Sequence, residues 1–336
     1  MTVLVTGGAG YIGGHMVLGL LDAGEVPVVV DDMSNGVPWA VPPEVHFIWG
    51  DSGDYETVAR VIETHKVDTV IHFAGRLITP QFYDDPLEYY LANTAKSRTL
   101  LSAVQKLGIK HFIFSSTAAV YGNPATNPVP ETAPLAPISA YGSSKLMTEM
   151  MLHDVAAVCD LRFVALRYFN VAGADPEGRY GQSTTKTTLL VQIAAQVALG
   201  IRPYIEIYGD DYPTADGTCI RDYIHVTDLV DAHLAALRHL RNSGASFVAN
   251  CGYGRGYSVK QVLDMTQTIA GRELVRKIGA RRKGDAVEVV AEANLVRTKL
   301  GWSPRYADLA TIVTHALRWE EQLQKKRRLR NRVSER

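Results

Sequence analysis

Val5-Thr6-Gly7-Gly8-Ala9-Gly10-Tyr11-Ile12-Gly13-Gly14 decides how the chain is built. It follows the apolar Val3-Leu4-Val5 and opens an amphipathic helix that ends near Gly24. Gly7, Gly10 and Gly13 answer three separate needs: a tight turn, close approach of a pyrophosphate to the backbone, and close packing of helix on strand. The first amides of the helix, at Tyr11 and Ile12, are placed to receive phosphate oxygens. Val26–Val30 then reads as a second buried strand ending in Asp31. An acid about 20 residues past such a loop is placed to hold the adenosine ribose 2′-hydroxyl, which favours NAD over NADP. Asp32, Asn35 and Gly36, just beyond, edge the adenosine.

The alternation continues outward. Val45–Trp49 is a strand leading to Asp51 and Ser52, on the adenine side. Residues 54–65 read as a helix, Val67–Ala74 as a strand ending at Gly75, and 86–107 as one long helix carrying Asn93. His111–Ser115 is the next strand, 140–158 a helix, and Leu161–Arg167 a further strand. Helices alternating with apolar strands predict an α/β fold, a Rossmann-type doubly wound parallel sheet with right-handed crossovers. Ligands lie beyond the carboxyl ends of such strands, so Phe73-Ala74-Gly75 and Ser115-Ser116-Thr117 face the cofactor. After Tyr168-Phe169-Asn170 the rhythm breaks: 173–185 is loop-like, 186–199 helical and Asp210–Arg221 turn-rich. The expected division is an NAD-binding domain over 1–169, to which 222–245 returns a strand and a helix. A smaller mixed α/β substrate domain takes 170–221 and 246–336, with helices at 258–270 and 306–325.

Tyr141-Gly142-Ser143-Ser144-Lys145 opens the 140–158 helix. Residues four apart share a helix face, so a phenol and an ammonium stand side by side. A free phenol, with a pKa of ~10, is a poor base at neutral pH. A neighbouring cation favours the phenolate. Lowering the pKa by about three units takes ~4 kcal/mol of differential interaction, which Lys145 and an oxidised nicotinamide would share. Alone, Tyr-x-x-x-Lys is a weak signal, common on solvated helices; the glycine loop and Asp31 give it weight. Thr117 has two open readings: bonding a substrate hydroxyl or the phenolate, or a turn satisfying its own backbone. Arg281-Arg282-Lys283-Gly284-Asp285 likewise reads as a clamp on a diphosphate or as a solvated loop. The basic stretch from Lys325 to Arg332 reads as a solvated helix end.

Composition narrows the function classes. Lys plus Arg and Asp plus Glu each number 35 in 336 residues, a formal net charge of zero that points to neither nucleic acid nor membrane. A first strand beginning at Thr2 leaves no room for a signal peptide, and no apolar run approaches the ~20 residues of a bilayer span. Cys159, Cys219 and Cys251 are scattered, and the ten histidines form no ligand pattern. The expectation is a cytoplasmic, metal-free protein.

Seven segments together resemble the extended short-chain dehydrogenase/reductases, specifically the UDP-glucose 4-epimerases. These are Val5–Gly13, His72–Gly75, Thr117–Gly122, Tyr141–Lys145, Leu166–Ala174, Asp211–Thr218 and Arg221–Val226. The resemblance covers nearly the whole chain and is closest to the alpha-proteobacterial branch that supplies UDP-galactose for exopolysaccharide. It implies a tightly held NAD that is not consumed, and an isomerase of carbohydrate and galactose metabolism. Tyr141 takes the proton of the sugar 4-hydroxyl while hydride leaves C4; the 4-ketose turns over, and both return to the other face. Lys145 lowers the tyrosine pKa and bonds the nicotinamide ribose, and Thr117 assists at the 4-oxygen. Arg76, Asn93, Ser115, Tyr168 and Phe169 complete the cofactor lining. Asn170, Leu190, Arg221, Arg282 and Asp285 hold the UDP, with Tyr208 near the uracil. A homodimer is also implied.

The sequence departs from the family pattern in four places. Arg76-Leu77 follows Gly75 where a lysine two positions on is common, and Arg76 stands in for it. Thr79-Pro80-Gln81-Phe82 alters the sugar-side wall, and Leu189 replaces a polar residue. Val289 is small where many members carry tyrosine, which implies room for a 2-acetamido group and hence for UDP-GlcNAc and UDP-GalNAc. A nucleotide-sugar 4,6-dehydratase is disfavoured, because Ala118 and Ala119 stand where its relatives place an acid pair for eliminating water. UDP-pentose 4-epimerisation uses the same groups and stays open. A catalytically silent NAD-binding sensor is the non-enzymatic alternative.

Overall fold

The computed structural model describes residues 1–77, 85–184, 187–282 and 284–334. Six strands build most of a seven-stranded sheet: β1 (Thr2–Thr6), β2 (Val26–Asp31), β3 (His46–Trp49), β4 (Val67–His72), β5 (His111–Thr117) and β6 (Arg162–Tyr168). Later strands are β7 (Asn170–Ala172), β8 (Ile205–Tyr208), β9 (Ile220–His225), β10 (Phe247–Cys251), β11 (Gly256–Ser258), β12 (Arg276–Gly279) and β13 (Glu288–Val289). The main sheet runs β10-β6-β5-β4-β1-β2-β3, and every pairing in it is parallel. Strand order reverses between β1 and β4, which opens a crevice at their carboxyl ends. The doubly wound expectation therefore holds. β9 anchors a second sheet with β7, β11 and β13, and β8 pairs with β12.

The helices are α1 (Tyr11–Asp22), α2 (Tyr55–His65), α3 (Pro86–Tyr89), α4 (Lys96–Lys106), α5 (Ala140–Val158), α6 (Leu190–Ala198), α7 (Val226–Arg241), α8 (Val259–Ala270), α9 (Asn294–Leu300) and α10 (Leu309–Ser334). Two apolar layers sandwich the main sheet. One joins Val3, Val5, Ile71, Ile113 and Val164 to α1 and α7. The other joins Leu4, Val70, Phe112, Phe114 and Phe163 to α2, α4 and α5. A third core lies among α6, α8 and α10.

Three expectations are corrected. The single helix over 86–107 is α3, a π-helical turn over Tyr90–Ala95, and α4. Hydroxyls of Ser97 and Thr148 bond the Asn93 carbonyl at 2.6 and 2.9 Å, and side chains inserted in this way widen a helix. The strand expected to return to the first domain, β9, pairs instead with β7, β11 and β13; only α7 returns. Conversely β10, inside the stretch given to the substrate domain, closes the main sheet beside β6, with Phe247 opposite Val164 and Cys251 opposite Tyr168. Its Ala249 and Cys251 are wholly buried, so this edge of the main sheet supplies the burial they require.

Candidate active site

The glycine loop binds itself closed. Gly10 N donates to Gly7 O at 3.1 Å. A Cβ on Gly13 would stand 2.0 Å from Gly7 O, and one on Gly7, whose φ is +72°, would stand 2.7 Å from Ala74 N. A Cβ on Gly10 would meet only Gly7 O, at 3.2 Å, and so would project into the open side of the turn. Asp31, 7% exposed at the end of β2, accepts Ala9 N at 2.9 Å and Met33 N at 2.8 Å. Burial raises its pKa, and the two amides oppose this. Two carboxylate oxygens offer about four lone-pair sites, so acceptor capacity for a ribose hydroxyl remains. The backbone turn, the helix start and this acid fit a dinucleotide.

Around them, Phe73 N bonds Thr6 O at 3.0 Å, which fixes Phe73-Ala74-Gly75 beside the loop. Asn93, wholly buried, accepts Arg76 N at 2.7 Å and donates to Arg76 O and Ser144 Oγ. It braces the wall of the crevice. Arg76 pairs with Glu88 at 3.5 Å. Asp32 caps Ser34 N at 2.8 Å, Asn35 is exposed, and a Cβ on Gly36 would crowd Ala9 and Asp31. Asp51 pairs with Lys96 at 2.6 Å and Ser52 is buried, so Asp51 also ties α4 to the β3 end.

At the end of β5 the structure brings Thr117, Tyr141 and Lys145 together. Ser139 caps α5 by accepting Gly142 N, which sets Tyr141 in the first turn. The phenol is 9% exposed, close to the Thr117 hydroxyl and edge-on to the Tyr89 ring at 6.2 Å. Thr117 accepts Ala119 N at 3.1 Å, which is the turn reading of this residue. Lys145 Nζ donates to Ser115 O at 3.0 Å and sits 5.0 Å above the Phe114 ring. Burial pushes the Tyr141 pKa up to about 12; the Thr117 hydroxyl lowers it and Tyr89 raises it. Burial pushes Lys145 down to about 8. The chain by itself keeps the phenol neutral, and the Lys145 ammonium is turned to the Ser115 carbonyl. Ser115 Oγ bonds the buried Tyr168 phenol, and Phe169 packs beneath.

The second sheet carries the remaining residues. Arg282 stacks on Tyr208, its guanidinium carbon 3.6 Å from the ring centroid. Arg221 approaches Asp285 at 3.9 Å and stands opposite Val289 in the β9–β13 register. Val289 packs with Ala118, Tyr121 and Ala286, which brings this cluster against the residues following Thr117. Asn170 is exposed at the start of β7, and Leu190 opens α6 beside the half-buried Leu189. The altered stretch Thr79–Phe82 and Lys283 lie outside the described residues. Among the described residues no His, Cys, Asp and Glu cluster could hold a metal, and no helix is long and apolar enough to cross a membrane. Tyr89 and the buried Glu149, Arg167 and Asn250 around the site were not foreseen; an acid eight residues after Tyr141, on the same helix face, was the available signal.

The model of the NAD dependent epimerase/dehydratase family matches residues 3–252. The chain belongs to this family. It is 52% identical over 322 residues to the UDP-glucose 4-epimerase of Azospirillum brasilense, covering 96% of this chain and 92% of that protein. Its fold is similar to the crystal structure of UDP-glucose 4-epimerase from Brucella ovis in complex with NAD: TM-score 0.90, 41% identity, 94% of this chain and 97% of that one. It is similar also to the Bifidobacterium longum UDP-glucose 4-epimerase in complex with NAD+ and UDP, with a TM-score of 0.91, 36% identity, and coverage of 96% and 98%.

Proposed function

We infer that the chain is a UDP-glucose 4-epimerase that inverts C4 of a UDP-hexose and holds NAD without consuming it. The observation that carries the reading is the meeting of Tyr141, Thr117 and Lys145 at the end of β5, beside the loop that fits the dinucleotide. The Gly7–Gly13 turn, Asp31, Ser115 and Lys145 would hold the cofactor. When bound, NAD supplies a hydride acceptor for C4 and a positive charge near the phenol. Tyr141 takes the proton of the 4-hydroxyl and later returns it, while Thr117 holds the phenol oxygen against the 4-oxygen. Burial of both groups strengthens each of these interactions. Arg221, Arg282, Asp285 and Tyr208, with Asn170 and Leu190 at the margin, grip the UDP. Binding energy remote from C4 leaves the 4-ketose free to present its other face.

Proton NMR of the purified protein with UDP-galactose and no added cofactor tests this. UDP-glucose signals rising to a fixed ratio support it. A 4-keto-6-deoxy product, or no change even with added NAD, refutes it.

The small Val289 beside Ala118 favours a wider specificity that includes UDP-GalNAc. Failure to turn over UDP-GalNAc while UDP-galactose reacts normally would remove it. Exposed Leu87, Leu91, Met147 and Met150 on α3, the π-helical turn and α5 favour a homodimer across that face, to be checked by light scattering. Three free cysteines favour a reducing compartment, the cytoplasm.

A further inference from the structure

Glu149 stands on α5 one turn beyond Lys145 and two beyond Tyr141, on the same face. It is 3% exposed, and none of the roles above uses it. Arg167 of β6 forks onto it, Nε to Oε1 at 3.0 Å and Nη2 to Oε2 at 2.6 Å. Ser116 Oγ donates to Oε1. From Arg167 the network continues: Nη1 donates to Tyr121 OH at 3.0 Å, Tyr121 OH to Asn250 Oδ1 at 2.7 Å, and Asn250 Nδ2 to Val129 O at 2.8 Å. Val129 N in turn bonds Val290 O at 2.7 Å, next to Val289.

Three consecutive residues of β5 therefore hold three successive turns of α5. Thr117 faces Tyr141, the Ser115 carbonyl takes Lys145, and Ser116 bonds Glu149. The apolar contact of a helix with a sheet is non-directional; a forked, charge-assisted pair has a fixed geometry. We propose that Glu149 is a positioning residue for the C4 chemistry: its tie to Ser116 and Arg167 sets the register of α5 on the sheet, and with it the place of the Tyr141 phenol relative to Thr117. The same network carries that register to the strand bearing Val289. The proposal rests on the reading of Tyr141 as the base.

The test uses the NAD-loaded enzyme, with kcat and KM for UDP-galactose expressed per mole of bound NAD and kcat followed against pH. Glu149→Gln keeps the shape and removes the charge of the fork. Ser116→Ala is the gentler variant, which keeps the ion pair. Because a misplacement of about 1 Å can cost ~100-fold in rate, Glu149→Gln is expected to lower kcat ~10–100-fold with KM changed less than about threefold. Ser116→Ala follows in the same direction by a smaller factor. In both, the acid limb of the kcat profile moves to higher pH, because the phenol shifts away from the Thr117 hydroxyl that lowers its pKa. Normal kcat per bound NAD in both variants, or a loss equal at every pH, overturns the proposal. Tyr141→Phe, measured alongside, separates the two levels: if it stays active the assignment of the base fails, and if it is inactive while Glu149→Gln is normal, only the positioning role fails.

Discussion

Thr117→Val removes one hydroxyl and keeps the side-chain shape, so its cost can be worked from two bonds. The first caps the 3₁₀ turn Ala118–Tyr121 by accepting Ala119 N; losing a cap of this kind costs about 1 kcal/mol of stability. The second is the bond the hydroxyl is placed to make with the neighbouring buried Tyr141 phenol, whose pKa it lowers; a buried group left unsatisfied costs about 1–3 kcal/mol. The variant should therefore unfold about 2–4 kcal/mol more easily in urea. The catalytic loss is larger in kind, because the bond is strongest to the phenolate. A hydrogen bond to a charged group contributes about 1.5–3 kcal/mol, which is roughly a 10–150-fold drop in kcat at neutral pH. The same energy corresponds to about one to two pKa units. The deficit should therefore shrink as pH rises and the phenolate forms regardless. Conversion of UDP-galactose, coupled to UDP-glucose dehydrogenase and followed as NADH across pH, reads this directly, and Thr117→Ser should recover most of it. A Thr117→Val enzyme within twofold of the parent, with an unmoved pH profile, would refute the assignment of Thr117 to the phenol.

Gly13→Ala should abolish NAD retention, since the added Cβ would lie 2.0 Å from Gly7 O; NAD released on denaturation and counted by chromatography checks it. Arg282→Met should raise KM for UDP-galactose about tenfold or more with kcat little changed, because it removes one charge from remote binding and none from C4; an unchanged KM would remove Arg282 from the UDP grip. Stability should fall well above the carboxylate range. Burial holds His15 and His233 at about 4 and His72 and His225 at about 3, all below the ordinary 6.5 of an unfolded histidine. Below pH 6.5 the unfolded chain binds protons that the folded chain refuses, so stability present at pH 7 is lost progressively as pH falls toward 4. Each histidine contributes about 1.4 kcal/mol per pH unit in that window. Urea midpoints at pH 7, 6 and 5 that coincide would contradict this.

Much of the main sheet was legible because short apolar runs bounded by glycines leave a buried parallel strand as the economical reading, and β1, β2, β4 and β6 fall within a residue or two of expectation. Tyr141 and Lys145 became legible only once the glycine loop and Asp31 stood beside their spacing, and local sequence left Thr117 open between a substrate contact and a backbone turn. What periodicity could not show was pairing. Nothing in Phe247–Cys251 distinguishes an edge strand of the main sheet from a strand of the smaller one; the choice is made by which neighbour buries Ala249 and Cys251. The π-helical turn was hidden because the inserted hydroxyls of Ser97 and Thr148 come from other turns or another helix. The ion pair of Glu149 and Arg167 was hidden because its halves lie 18 residues apart on different elements.

The chain leaves the main sheet after β6, comes back through α7 to β10, and leaves again at β11. Neither sheet is thus one continuous piece of polypeptide. A chimera that borrows the sugar-recognising half of a relative needs three splice points, near 170, near 225 and past 251. A single cut anywhere between strands a main-sheet strand on the wrong fragment. Nucleotide-sugar preference in such a scaffold is therefore expected to change by point substitutions at positions such as Val289, and not by exchange of whole cassettes.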